Sequence, residues 1–359
     1  MASALYDNSV SLRRAEVLLD QRCLVEAIEA FNAAERLGAD PDPCCGGRWR
    51  AFMLLGDFAS AWHESDALRA RNTTDPHRFW NGENLSGKRV MLRCLHGFGD
   101  AVQMLRYLPR LRRLASHLIV EVPPRLLPLA PFFRGVAQVI TWGDSVPAER
   151  PVWDVQLEIM ELPYVFRTVC ADLPLATNYL ELPQSILTTT AQTMDAIPRP
   201  ETQPALRIGV VWKCGEWDPQ RSVPLDLLRP LLELPGVQAW SLQGDSHASG
   251  VECYPSLPVI MKSQTTTTGD GLIPLAATIS HLDLILTVDT LAAHLAGALG
   301  RPVWLMLQHA ADWRWMNERD DSPWYPTMRI FRQPKAGDWA SIMRDVETAL
   351  TVVASERAS

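Results

Sequence analysis

The sequence predicts an α/β fold in which two doubly wound, Rossmann-like domains follow a short all-helical cap. Three observations carry this. The first eighty residues place apolar side chains at helical spacing and show almost no strand signal. From Lys88 onward, short β-rich runs alternate with helical stretches, twice over. Between the two series lies a cluster of prolines, Pro198, Pro200 and Pro204, which reads as a linker. A chain of 359 residues has room for two or three such domains.

In the cap, Ala15, Leu18 and Leu19 mark one helix, and Ala27, Ile28, Phe31, Ala34 and Leu37 a second over 26–37. The break Gly38-Ala39-Asp40-Pro41 comes next, and two more helices are expected at 45–55 and 58–71, with Gly56-Asp57 as the turn between them. This spacing is similar to about two tetratricopeptide hairpins. Three or more repeats are the usual minimum for independent stability, so the cap is expected to depend on the first α/β domain. A plain helical cap and a working peptide-binding array fit equally well.

The first α/β series is expected as strand 89–95, helix 100–114, strand 118–122, helix 125–133 and strands 137–141 and 152–157. The second runs through strand 206–212, helix 225–234, strand 237–242, helix 272–281, strand 284–288, helix 290–299 and strand 303–307, with a terminal helix at 338–353. Within it, Leu284-Ile285-Leu286-Thr287-Val288 is an unbroken apolar or β-branched run, as expected of a parallel strand covered on both faces. Asp289-Thr290 then supplies a helix cap, and Gly300 and Pro302 a stop. A strand feeding straight into a helix leaves unpaired N–H groups and a positive dipole end at the sheet's carboxyl edge, where α/β proteins bind phosphate. His294, one turn in, is within reach of the same place. Strand-to-helix junctions of this kind also occur in every α/β domain, so the junction alone does not decide.

Composition narrows the classes. The chain has 34 basic and 41 acidic side chains, a net charge of −7, and no basic face, which disfavours nucleic acid. Seven cysteines, an odd number with no CxxC pair, and an N-terminus lacking an apolar core point to a reducing, cytoplasmic setting. Cys44-Cys45 near His63 has the wrong spacing for a zinc motif. The long apolar stretch 282–307 is interrupted by Asp283, Asp289, His294 and Arg301, so no transmembrane segment is expected. Thirteen tryptophans suit either core filling or a cleft that stacks on sugars or bases.

Other candidate residues lie at strand ends. Gly97-Phe98-Gly99-Asp100 follows a strand and opens a helix, but Val102 stands where a dinucleotide fingerprint has its third glycine, which disfavours an NAD-linked enzyme. Asp100 there reads either as a helix cap or as a carboxylate aimed into a cleft. Lys213, Arg221 and Ser222 follow strand 206–212, where a cation can offset charge on a leaving diphosphate. Gln243 follows strand 237–242, a place for a base or ribose contact. Asp320-Asp321 and the run 265–268 read as solvated loops. Trp313, Trp315 and Trp324 read as packing for the loops after the last strand, or as stacking surfaces.

The ordered blocks resemble one family. They begin with Phe79-Trp80-Asn81-Gly82-Glu83-Asn84-Leu85-Ser86-Gly87-Lys88-Arg89 and His96-Gly97-Phe98-Gly99-Asp100-Ala101-Val102-Gln103-Met104-Leu105-Arg106-Tyr107. Arg221-Ser222-Val223-Pro224-Leu225, Ser241-Leu242-Gln243 and the segment 284–302 come after them. The last are Asp312-Trp313-Arg314-Trp315, Ser322-Pro323-Trp324-Tyr325-Pro326, Phe331-Arg332-Gln333 and Gly337-Asp338-Trp339. In this order they resemble the tetratricopeptide-linked bacterial glycosyltransferases whose catalytic part is similar to glycosyltransferase family 9, the ADP-heptose:lipopolysaccharide heptosyltransferases. The resemblance implies a GT-B fold divided as cap 1–78, acceptor domain 79–200, nucleotide-sugar domain 201–336 and a helix 337–359 crossing back. It implies a glycosyltransferase, inverting and without a required metal or cofactor, that moves a sugar from a nucleotide-sugar donor to a glycan, lipopolysaccharide or protein acceptor. Peripheral membrane association is compatible with this.

By the same resemblance Asp100 is the catalytic carboxylate in a loop that needs Gly97 and Gly99. Asp289, Thr290 and His294 match the donor-diphosphate motif, with Lys213, Arg221, Ser222 and Gln243 as further donor-side residues. Two departures bear on substrate: Leu95-His96 replaces a Glu-Gln pair common in relatives, and Lys213 stands where a small residue is expected. The competing reading is an inactive adaptor that keeps the fold and binds through its helical cap.

Overall fold

A computed structural model describes residues 2–71, 80, 82–142, 151–173, 178–197, 206–215, 218–243 and 271–358. The proline cluster at 198–204, the run 265–268 and Cys253 lie outside them. The chain divides into two compact units. One comprises Met1–Glu83, Glu161–Pro174 and Ala310–Arg319; the other holds Asn84–Met160, Leu175–His309 and Asp320–Ser359.

The first unit is a run of helices, α1 (Ala2–Asp20), α2 (Leu24–Arg36), α3 (Pro41–Leu55) and α4 (Phe58–Arg71), each packed on the next. Asp40 caps α3 by accepting from Asp42 N at 3.0 Å, with Pro41 in the first turn, where its missing N–H costs nothing. Gly56 ends the helix with φ +78°, a left-handed turn that favours glycine. The core is Ala15, Leu19, Leu24, Ala27, Phe31, Ala34, Cys44, Ala51 and Leu54. Arg48, buried among three helices, is paired with Glu64 through two bonds of 2.7 and 2.9 Å and with Glu35 at 2.6 Å.

Distant stretches complete this unit. Trp62 Nε1 donates to Thr168 O at 2.7 Å, Arg167 pairs with Asp66 at 2.7 Å, and Asn317 N donates to Leu54 O at 2.8 Å. Trp313 meets Trp49 edge-on, with centroids 5.6 Å apart.

The second unit holds two all-parallel sheets. In the first, β1 (Arg89–Arg93), β2 (His117–Val122), β3 (Gln138–Thr141) and β4 (Val155–Glu158) lie in the order β3-β2-β1-β4. In the second, β5 (Leu206–Val211), β6 (Val237–Ser241), β7 (Leu284–Val288), β8 (Val303–Leu307) and β9 (Met328–Arg332) lie in the order β6-β5-β7-β8-β9. Every residue of β7 and β8 is buried, as sheets covered on both faces require. Strand order reverses at β1 in one sheet and between β5 and β7 in the other. Those switch points open crevices at the carboxyl ends of the strands, where open sheets bind ligands.

Helices differ from expectation where proline intervenes. The stretch 100–114 is α5 (Phe98–Met104), a 3₁₀ turn and α6 (Leu108–Leu114), with Pro109 restarting the helix. Prolines reduce 125–133 to two 3₁₀ turns, and Pro230 splits 225–234 into a 3₁₀ turn and the single-turn α9 (Arg229–Leu232), α7 (Leu162–Val165) being another single turn. Helix α8 (Gln184–Asp195) goes unforeseen because its threonines have low helix propensity. Thr189 and Thr193 return their hydroxyls to carbonyls one turn back at 3.0 Å. Strand β9 is also unforeseen, since Arg329 and Arg332 interrupt its apolar run. Helices α10 (Leu272–His281) and α11 (Leu291–Ala298) fall where expected. In α12 (Trp339–Ala358), Trp339, Ile342, Met343, Val346 and Leu350 join the core of the second sheet.

Two features of this packing are open to direct test. Adjacent glycines in α3 have opposite surroundings: a Cβ at Gly46 meets nothing within 4 Å, whereas one at Gly47 falls 2.1 Å from the Phe31 ring. Gly46→Ala should therefore raise stability by about 0.5–1 kcal/mol, and Gly47→Ala should lower it by about 1–3 kcal/mol, read as melting temperatures of the full chain. Asp154 accepts from Arg89 N at 2.8 Å and pairs with its guanidinium at 3.0 Å, tying β4 to β1. Arg89 holds the carboxyl at about 2, below its ordinary 3.8. A depressed carboxylate stabilises the fold above its unfolded value, and that stability is lost as pH falls. The destabilisation in Asp154→Asn should be full at pH 6 and shrink between about 4 and 2; a pH-independent difference would contradict the pairing.

Candidate functional site

The second unit brings together the loop after β1 and the junction after β7. Gly97 N donates to Asp100 Oδ2 at 3.1 Å, so the carboxylate reaches back over the first turn of α5. Gly99 faces α11: a Cβ there would lie 2.7 Å from His294 Cδ2. Only glycine permits that approach, which puts the Asp100 loop directly against the His294 imidazole.

At the other side, Thr290 starts α11 in extended conformation without a side-chain cap bond. The helix therefore presents N–H groups at its first turn. Thr287 and Thr290 hydroxyls lie 3.2 Å apart. His294, 3 % exposed, has Nδ1 at 3.0 Å from Tyr325 OH and Nε2 at 3.9 Å from Asp289 Oδ1. Arg221 donates to Asp289 O at 2.9 Å and lies 3.8 Å from Asp289 Oδ2 and 3.6 Å from Asp218 Oδ2. Asp289 thus sits between a guanidinium and an imidazole.

The remaining donor-side residues shape the loop after β5. Gln243 Oε1 accepts from Trp212 N at 3.3 Å and Lys213 N at 3.0 Å, while its Nε2 donates to Lys213 O at 3.1 Å. Its amide thus bonds that backbone from both ends, with one N–H of Nε2 engaged. Ser222 Oγ accepts from Cys214 N at 3.1 Å. Lys213, half-buried, forms no ion pair with another described residue.

Sequence reasoning missed the support beneath His294. Arg106 is buried with no carboxylate beside it among the described residues. Its Nε donates to Gln103 O at 2.8 Å, Nη1 to Trp324 O, and Nη2 to Tyr179 OH at 3.4 Å. Its guanidinium carbon lies 4.5, 5.2 and 5.4 Å from the ring centroids of Tyr325, Tyr179 and Trp324. Burial pushes the Tyr325 phenol well above its ordinary value, reinforced by Tyr179 and opposed by Arg106, so the hydroxyl keeps its proton. Tyr325 also presses on Gly297, where a Cβ would fall 2.2 Å from its ring. The available signal was an arginine inside an apolar helical run, together with Tyr325 in a Pro- and Trp-rich loop.

Glu158, at the end of β4, is also new. It accepts from Met160 N at 2.6 Å and Leu95 N at 3.4 Å, with His96 Nε2 at 3.7 Å. Burial raises its pKa, offset in part by these partners. Trp315 and Trp324 are buried, and Asp320 and Asp321 exposed. Among the described residues no group of three or more His, Cys, Asp or Glu is placed to hold a metal, and no helix is long and apolar enough to cross a membrane.

No family model matches the chain. A curated relative, Protein FlbA of Caulobacter vibrioides (strain ATCC 19089 / CIP 103742 / CB 15), is 25% identical over 390 residues, covering 94% of this chain; the chain spans 60% of that relative's length. Among solved structures, a family 9 glycosyl transferase from Veillonella parvula DSM 2008 superposes with a TM-score of 0.57 at 14% identity, over 77% of this chain and 100% of that one. ADP-heptose lps heptosyltransferase II of E. coli gives 0.53 at 13% identity, over 76% and 100%. The two-sheet architecture is thus the GT-B fold of family 9 glycosyltransferase structures, as the sequence blocks imply.

Gly99→Ala should force the loop off His294 and destabilise the chain by about 1–3 kcal/mol. Unchanged stability together with an unshifted His294 NMR signal would contradict the contact.

Proposed function

We propose that this protein is a glycosyltransferase that moves a sugar from a nucleotide-sugar donor to a glycan, lipopolysaccharide or protein acceptor, in one inverting step without a metal. The observation that carries this reading is the Asp100 loop lying against His294 at the start of α11, within the fold of family 9 glycosyltransferases.

The diphosphate of the donor sits at the first turn of α11, where N–H groups and the helix dipole favour an anion. Arg221, His294 and Lys213 offset the charge that develops as the sugar–oxygen bond breaks. Asp289 repels phosphate if it faces it directly; its place beside Arg221 and His294 suits it to hold those two groups in position. Thr290 contributes its backbone at the same turn. Gln243 and Ser222 set the course of the loop at 212–214 under the nucleotide.

Asp100 takes the proton of the acceptor hydroxyl as its oxygen attacks the anomeric carbon. Its bond from Gly97 N–H fixes its direction. We place the reaction in the cytoplasm, with peripheral membrane association where the acceptor is lipid-linked.

Calorimetry with ADP, GDP and UDP tests the donor site. At least one should bind, and His294→Ala should weaken it while leaving the fold intact. Asp100→Asn should cut transfer by about a hundredfold to ten-thousandfold, with donor affinity unaltered and EDTA without effect on the wild type. Full transfer activity in the Asn variant would remove Asp100 from catalysis.

A further inference from the structure

The buried hydroxyl chain behind His294 determines where its proton sits. Tyr179 OH has a single hydrogen, and it goes to Val102 O, an acceptor only, at 3.1 Å. Tyr179 oxygen is therefore an acceptor on its other side, and Arg106 Nη2 donates to it from 3.4 Å. Arg106 donates to Tyr325 OH as well, and that hydroxyl lies 3.4 Å from Tyr179 OH and 3.0 Å from His294 Nδ1. With its oxygen already accepting from Arg106, the Tyr325 hydroxyl gives its proton to the shorter of its two remaining contacts, His294 Nδ1.

A ring nitrogen that accepts a hydrogen bond carries no proton in neutral imidazole, so the hydrogen of His294 lies on Nε2. That nitrogen faces Asp289 and Gly99, the side on which the diphosphate is placed. We infer that Tyr325 is a positioning residue that holds neutral His294 as the Nε2–H tautomer, a hydrogen-bond donor toward an anionic leaving group. The tautomer rests on the geometry alone; its use toward a diphosphate rests on the proposed donor site.

Long-range ¹H–¹⁵N spectra of the full chain labelled in histidine read the tautomer directly, with His294→Gln supplying the assignment. In the wild type His294 should show a protonated Nε2 and an unprotonated Nδ1. Tyr325→Phe should lose this fixed pattern and weaken binding of the nucleoside diphosphate that binds the wild type by about three- to tenfold. Tyr179→Phe keeps the Tyr325 donor and should retain both the pattern and the affinity. A protonated Nδ1 in the wild type, an unchanged pattern in Tyr325→Phe, or equal loss in both variants overturns the inference. If the tautomer behaves as stated but ADP, GDP and UDP all fail to bind the wild type, the donor site is wrong and the tautomer assignment stands.

Discussion

A cation buried with no carboxylate beside it among the described residues is the constraint on which this site depends. Taking a guanidinium out of water costs several kcal/mol unless its donors and charge find other partners. Arg106 finds two carbonyls, a phenol and the faces of three aromatic rings. Each partner is weaker than a carboxylate, so the cage works only with Tyr179, Trp324 and Tyr325 all in place. Those rings come from two distant places in the chain, Tyr179 and the Trp324-Tyr325 pair, and α5, which precedes Arg106, packs against α11.

Close packing then transmits that placement to the chemistry. Tyr325 lies on Arg106 on one side, against Gly297 on another and at His294 with its hydroxyl. His294 in turn abuts Gly99, one residue before Asp100. Glycine is therefore a packing requirement at 99, against the imidazole, and at 297, against the Tyr325 ring. The backbone can approach so closely only because no Cβ intervenes, and the Asp100 loop and the start of α11 share one set of contacts.

Much of this was legible in the sequence. The apolar run 284–288, the Asp-Thr cap and Gly300 placed β7 and α11 correctly, because a buried parallel strand and a capped helix leave local signals. The cap helices were equally plain from their spacing. Proline misled the reading: stretches with helical periodicity broke into 3₁₀ turns at Pro109, Pro131 and Pro230. Helix α8 was hidden by its threonines, whose hydroxyls return to the helix backbone. Within the site, the clustering of Asp100's loop with Asp289 and His294 stems from their positions at strand ends. The hydroxyl chain does not, since Tyr179 and Tyr325 are far apart in sequence and meet only through tertiary packing. Gln243 shows the reverse: its position at a strand end pointed outward to a ligand, whereas its amide closes on the neighbouring strand's loop.

The central claim is a diphosphate site at the start of α11. A crystal structure with the tightest-binding nucleoside diphosphate tests it most directly. Phosphate oxygens should lie at the first-turn N–H groups of α11, within hydrogen-bond distance of His294 Nε2, with the Gly97–Asp100 loop across from them. Phosphates bound elsewhere, with His294 Nε2 still turned to protein alone, would contradict it.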